Sequence, residues 1–259
     1  MRKISLAFLL LIICASVCLA QSAGKVGSEK QAAQSSTTTA PQQNLNYNFG
    51  KSTVNIPAPD GFAEAASEVE HVKRTFEMTE APALDFLASH VPVEEYARLK
   101  RGEFVVPTFY TKVSTLKNQR EVNVSAEEFT AIANYLHANN SKLFDIDGPA
   151  MKSSLKNTNK GLSELLETEA KLDLSQPVNL GLIQRTENSY GNLMMTKYKI
   201  QAGNEQKEAL ILFSVNLIRV KQRIIYLYVY RRFDAEADID IIRNLTKQWI
   251  NKILNANLN

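Results

Sequence analysis

Cysteine is almost absent: the 259 residues contain two, Cys14 and Cys18, and both lie in the stretch MRKISLAFLLLIICASVCLAQS that opens the chain. That stretch has the parts of a secretory signal peptide over residues 1–20. Arg2 and Lys3 precede an apolar run from Ile4 to Ile13, and a small-residue site ends at Ala20. The run falls short of the roughly 20 residues a spanning helix needs. Acylation at Cys14 or Cys18 would call for a small residue just before it, and Ile13 and Val17 stand there, so a lipoprotein is the weaker reading. Cleavage after Ala20 predicts a periplasmic or secreted chain with no cysteine. That excludes a disulfide framework, a thiolate metal site and a cysteine nucleophile.

An excess of charge is missing too. Without Arg2 and Lys3 the chain holds 28 basic against 27 acidic residues, which removes the electrostatic case for nucleic acid. Histidine is scarce: His71, His90 and His137 fall on separate segments with no H-x-x-x-H or H-E-x-x-H spacing, so no metal or cofactor site is expected. The run GKST at Gly50–Thr53 lacks the glycine five residues earlier that a phosphate loop requires, Leu45 standing there. DIDG at Asp145–Gly148 starts like a calcium loop but lacks the later ligands, so it reads as a capped turn. Glu94 with Glu95 and Glu127 with Glu128 fit first helical turns, where exposed amides favour negative charge, without glycosidase chemistry. G-x-S-x-G does not occur. The sequons at Asn123, Asn139 and Asn244 read as coincidence, the last falling inside a helical pattern. No catalytic residue is expected, and the chain reads as a non-enzyme.

Residues 21–48 are rich in Gln, Ser, Thr, Ala and Asn and poor in large aliphatics, so they predict a flexible tether. A single α+β domain is expected over 49–259. STVN alternates like a strand. SEVEHVKRTFEM spaces Val69, Val72 and Phe76 as a helix, with Ser67 as its cap. ALDFLASHV reads as a strand, VEEYARLKRG as a short helix stopped at Gly102, and EFVVPTFYTKVSTL as extended. Ser125 and Glu128 have capping-box spacing ahead of Phe129, Ile132 and Leu136. From about 139 to 174 the pattern weakens into a polar excursion or lid, with GLSELLETEAKL its one helical run.

The last third is clearer. VNLGLIQRT, LMMTKYKIQ, EALILFSVNLIRV and RIIYLYVYR are extended runs joined by short connections, which predicts a four-stranded antiparallel meander. A long C-terminal helix follows, with Asp234 as cap candidate and Ile242, Leu245, Trp249 and Ile253 on one stripe. The fold class is therefore an antiparallel sheet covered by helices on both faces.

Alternation in the last strand puts Tyr226, Tyr228 and Tyr230 on one face and Ile225, Leu227 and Val229 on the other. The C-terminal helix accounts for the aliphatic face. The tyrosine face has two readings: a buried wall, favoured because ALILFSV is apolar on both faces, or an exposed platform. In the second reading Tyr226, Tyr228, Tyr230, Arg223 and Arg231 are candidate contacts for a sugar, peptide or acidic ligand.

The segments VNIPAPDGF, LDFLASHVP, NLIRVKQRIIYLYVYRRF and TKQWINKILNAN resemble uncharacterised secreted proteins of Gram-negative bacteria over most of residues 52–257. The meander followed by a long helix is similar to PsbP-like proteins, a likeness that implies an α/β/α arrangement and a non-enzymatic accessory or binding role. The first half departs from that compact pattern. The expectation is a binding or accessory protein of the cell envelope whose partner is another envelope protein. The alternative is a small-ligand carrier with a pocket between the sheet and residues 139–174; a hydrolase built from dispersed residues is the remaining option.

Overall fold

The computed structural model describes residues 45–258 apart from 104, 106 and 140–143. The expected signal peptide, and the expected tether up to residue 44, lie outside the described residues. The tether's last residues are ordered differently from expectation. Asn46–Phe49 form a strand, β1, that pairs with β2 (Ser52–Asn55) across Gly50 and Lys51, with Gly50 at a φ of 62° that favours glycine. The run GKST is thus a hairpin turn and its outgoing strand. Phe49, Val54 and Ile56 are fully buried, which fixes this hairpin to the body.

The remaining strands build one sheet in the order β3 (Phe62–Glu64), β4 (Leu84–Pro92), β5 (Phe109–Leu116), β10 (Arg223–Arg232), β9 (Glu205–Val220) and β8 (Ser189–Ala202). The outer side of β8 is shared: β7 (Val178–Thr186) pairs with its first half and β6 (Ala170–Leu174) with its second. Every ladder is antiparallel, and β7 to β10 are consecutive neighbours, as the short connections require. The last hairpin turns on Lys221 and Gln222, both at positive φ (48° and 65°), as a two-residue turn of matching twist demands even without glycine.

Among the described residues five helices flank the sheet: α1 (Glu70–Thr79), α2 (Val93–Lys100), α3 (Ala126–Ala138), α4 (Pro149–Leu166) and α5 (Ala237–Asn255). On α3 the capping box is present in both directions between Ser125 and Glu128. Two caps differ from expectation. Ser67 does not cap α1; its N–H donates to Glu64 Oε2 at 2.8 Å. Asp234 does not cap α5; Asp238, inside the first turn, accepts from the N–H groups of Asp234 and Ala235 at 2.8 and 2.9 Å.

The largest departure is residues 149–174, read as a polar excursion. DIDG is the capped turn expected, Asp147 N–H donating to Asp145 Oδ1 at 3.0 Å, and Pro149 then opens an 18-residue helix. Met151, Ser154, Thr158 and Leu162 form its buried face, at spacings of three and four with two small hydroxyls among them. Gly161 lets α4 cross α1 closely: a Cβ there would lie 2.4 Å from the Met78 carbonyl oxygen. So the segment is a packed helix followed by strand β6, not a lid.

Two cores result. One face of the sheet, with Tyr226, Tyr228, Tyr230, Phe213 and Tyr198, is covered by residues of α1, α3 and α4 such as Phe76, Phe129 and Leu162. On the other, Ile225, Leu227, Val229, Leu212 and Ile218 lie under Ile242, Trp249, Ile250 and Ile253 of α5, joined by Phe49, Val54 and Ile56.

Candidate functional site

The tyrosine row is a wall. Tyr226, Tyr228 and Tyr230 are 3, 0 and 1 % exposed, and Tyr230 stacks on Tyr110 at 4.7 Å between ring centres. Burial pushes the Tyr226 phenol up, and that of Tyr228 further, helped there by the charges of Tyr226 and Glu80. The exposed platform is therefore corrected. Its two arginines are on the wrong side as well, because Arg223 and Arg231 share the odd face of β10 with Ile225 and Val229. Buried Arg223 donates through Nη1 to the Glu121 carbonyl at 2.5 Å. Arg231 donates to Asp238 Oδ1 at 2.7 and 2.6 Å and lies over the Phe109 ring, so it anchors the start of α5.

Behind the tyrosines sits a charged pair that sequence reading missed. Lys112 Nζ donates to Glu80 Oε1 at 3.0 Å with both side chains almost fully buried. Ser114 Oγ donates to Glu80 Oε2 at 2.7 Å, and the Lys112 ammonium lies 5.0 Å from the Tyr228 ring centre. The signal was available in YTKVSTL, where Lys112 and Ser114 share the phase of Tyr110. A lysine in a strand is ordinarily assigned to the solvent face. Enclosed on all sides, this cluster reads as a polar brace for the core.

A small recess of about 20 Å³, room for about one water molecule, lies between the sheet, Leu136 of α3 and Phe144 beyond it. Leu136, Phe144, Val215 and Leu217 supply apolar walls, and Tyr190, Asn192 and Tyr226 the polar ones. Asn192 Nδ2 donates to the Tyr190 hydroxyl at 2.8 Å. Among the described residues no charged side chain lines it, and of the five candidate contacts only Tyr226 reaches it.

An open sheet face lies at the far end of the sheet. Helix α5 contacts β7, β9 and β10, and among the described residues the outer half of the sheet on its side is left uncovered. Cross-strand rows there run Lys171–Gln201–Gln206, Asp173–Lys199–Glu208 and Lys197–Leu210, and next to them Val178–Met195–Leu212, the last leading into the core under α5. Leu210 is 41 % exposed and Val178 55 %. The reverse face of the same strands, with Leu172, Tyr198 and Ile200, is buried. The period-two pattern of MTKYKIQ carried this information, polar on one phase and apolar on the other.

Both outer strands beside that face have their edges partly capped. On β6, Asn159 Oδ1 accepts from Leu172 N–H at 2.8 Å and Ser163 Oγ from Ala170 N–H at 2.9 Å, both from α4. On β7, Arg243 of α5 donates to the carbonyls of Leu182 and Leu180 at 2.7 and 3.1 Å. Some of the edge groups that could template a further strand are thereby taken.

The three histidines stay apart: His90 is fully buried and His71 exposed, while His137 meets Tyr190 edge-on at 6.4 Å. Among the described residues no cluster of three or more His, Cys, Asp or Glu could hold a metal ion, and no helix is long and apolar enough to cross a membrane.

No protein-family model and no curated protein matches the sequence. Solved structures similar to the chain include the Ran-binding protein Mog1p of Saccharomyces cerevisiae. It is 12 % identical with a TM-score of 0.27, over 84 % of this chain and 94 % of that one. A Mog1 mutant is 14 % identical with a TM-score of 0.28, over 83 % and 93 %. At such values the likeness carries no argument about fold or function.

Proposed function

We propose that this chain is an exported, non-catalytic binding or accessory protein of the cell envelope, and that it meets a partner protein through the uncovered face of β6, β8 and β9. The observation behind this is the contrast between that face and its surroundings. The strand edges are partly capped, the reverse side is packed, and a strip carrying lysines, glutamines and the exposed Leu210 and Val178 is left open beside the core. A polar surface with a few apolar anchors suits a non-obligate interface. Photo-crosslinking in the native envelope tests it. A crosslinker at Leu210 or Lys199 should capture one defined protein that a crosslinker at Ala97, exposed on α2, does not. Equal capture from both positions would refute the surface. A mature N-terminus other than Gln21, or a cytoplasmic fraction holding the chain, would refute export.

A second reading, a small-ligand carrier, has one observation in its favour: the recess lies between the sheet and Phe144, beside the segment where a carrier's cavity was expected. Its described lining is uncharged, which fits a small neutral molecule better than an acidic one, and the recess has to widen to admit one. Native mass spectrometry of the chain purified from its own envelope tests this reading, since a carrier retains a small molecule that Val215→Phe expels.

A further inference from the structure

His90 is the one fully buried histidine, and its surroundings are arranged for the neutral ring. Nδ1 is 2.7 Å from Thr111 Oγ1 on β5, the ring meets the Trp249 indole edge-on at 5.3 Å, and Nε2 has no partner among the described residues. The charged and titratable groups around it are already committed. Glu64 on β3, its cross-strand neighbour, accepts from the N–H groups of Ala66, Ser67 and Ser89. Tyr47 on β1 is held protonated by burial and by the Glu64 charge. From α5, Lys252 approaches with like charge, its Nζ bound to the Ala58 carbonyl at 2.9 Å and to Asp60 at 2.5 Å. A second proton on this ring would find no acceptor for Nε2–H and a cation nearby.

The same spot joins three parts of the chain. Trp249 Nε1 donates to the Pro57 carbonyl at 2.7 Å, Lys252 ties residues 58 and 60, and Asn257 exchanges bonds of 2.9 and 2.7 Å with the Asn55 backbone. Together these dock the β1–β2 hairpin against the C-terminal half of α5.

We infer that His90 is an acid-sensitive latch, whose protonation releases the β1–β2 hairpin and the end of α5 from the sheet while the tyrosine-face core stays packed. The direction follows from linkage. Burial first, and Lys252 second, hold the folded imidazole down to about 3, below its unfolded value near 6.5. The unfolded or released state therefore binds the proton more readily. The stabilisation is complete above the unfolded value and is lost as pH falls from there toward 3. Asp60 is the other ionisable group at the seam, paired with Lys252.

Trp249 is the chain's only tryptophan, so its fluorescence reads this seam directly. In the wild-type chain, acidification should move Trp249 emission to the red while the far-ultraviolet signal of the sheet persists. His90→Gln should abolish that separate step and Asp60→Asn should keep it. A red shift that coincides with loss of the sheet signal, or one that is unchanged in His90→Gln, overturns the latch. Histidine NMR on the wild type guards against a variant that fails to fold. Protonation of His90 must track the emission change, and a shift occurring while the ring is still neutral overturns the inference equally.

Discussion

The two faces of β10 are buried by different means. Its odd residues, Ile225, Leu227 and Val229, lie under one continuous helix and the small β1–β2 hairpin, in a cluster that is mostly aliphatic, with Phe49 and Trp249 its fully buried aromatic rings. Its even residues, three tyrosines, are covered by α1, α3 and α4, which come from widely separated parts of the chain, and a Lys–Glu pair is enclosed among them. The first face relies mainly on apolar area removed from water, a term that is non-directional and tolerant, with short hydroxyl, amide and imidazole contacts such as Ser214–Thr246 and His90–Thr111 set into it. The second has to satisfy buried polar atoms, and each of them constrains its neighbours. Truncation should therefore be costly on both faces, but repair by a second substitution should work only where the cost comes from an unpaired charge.

Trp249→Ala gives the largest effect expected on the aliphatic side. The indole is 1 % exposed and donates to Pro57, so its removal should cost about 3–5 kcal/mol. Equilibrium denaturation measures this, and a loss below about 1 kcal/mol would mean that α5 contributes little to the core. The matching change on the tyrosine face is Lys112→Met, which strands the Glu80 carboxylate and should also cost about 3–5 kcal/mol. Its signature is recovery: adding Glu80→Gln should restore a large part of the loss. A double variant that is additive instead of compensating would show that the pair is not coupled.

Of the architecture, the part closest to the C-terminus was the most legible in the sequence, for a physical reason. Two-residue connections force β7 to β10 to be neighbours, and the stripe on α5 is uninterrupted. The tyrosine row was legible as a row but not as a site. Alternation alone separates Arg223 and Arg231 from the tyrosines, yet whether three helices assemble over those rings depends on contacts far apart in sequence. The first part of α4, before GLSELL, went unread because Ser154 and Thr158 on its buried face are small hydroxyls that break the apolar period while fitting a close helix crossing. Lys112 escaped for the related reason that a charge normally marks the outside. Of the open face beside β7, the polar phase of Lys197, Lys199 and Gln201 was on view, but nothing local says that α5 stops short of it.

The close crossing supplies the next smaller effect. Gly161→Ala would place a methyl 2.4 Å from the Met78 carbonyl, and because that neighbour is backbone, α1 or α4 has to move. The expected loss is about 1–3 kcal/mol, even though alanine favours a helix by up to about 1 kcal/mol over glycine. A denaturant midpoint that rises would show that the two helices have room to part, and the tyrosine face would then be the more tolerant of the two.

Tyr228→Phe separates the faces most finely. The ring is fully enclosed, but its hydroxyl has no hydrogen-bond partner among the described residues, so the substitution removes a buried polar atom without breaking a bond. The ring above the Lys112 ammonium is kept, and with it most of the cation–π attraction. Stability should change by less than about 1 kcal/mol, with any change toward greater stability, since an unsatisfied buried hydroxyl is a cost that phenylalanine does not carry. A loss of about 2 kcal/mol or more would give that oxygen a partner in the folded chain. The tyrosine face would then be held at Tyr228 by a directional bond as well as at Glu80 and Lys112, and its contrast with the aliphatic face would be sharper than the pair alone makes it.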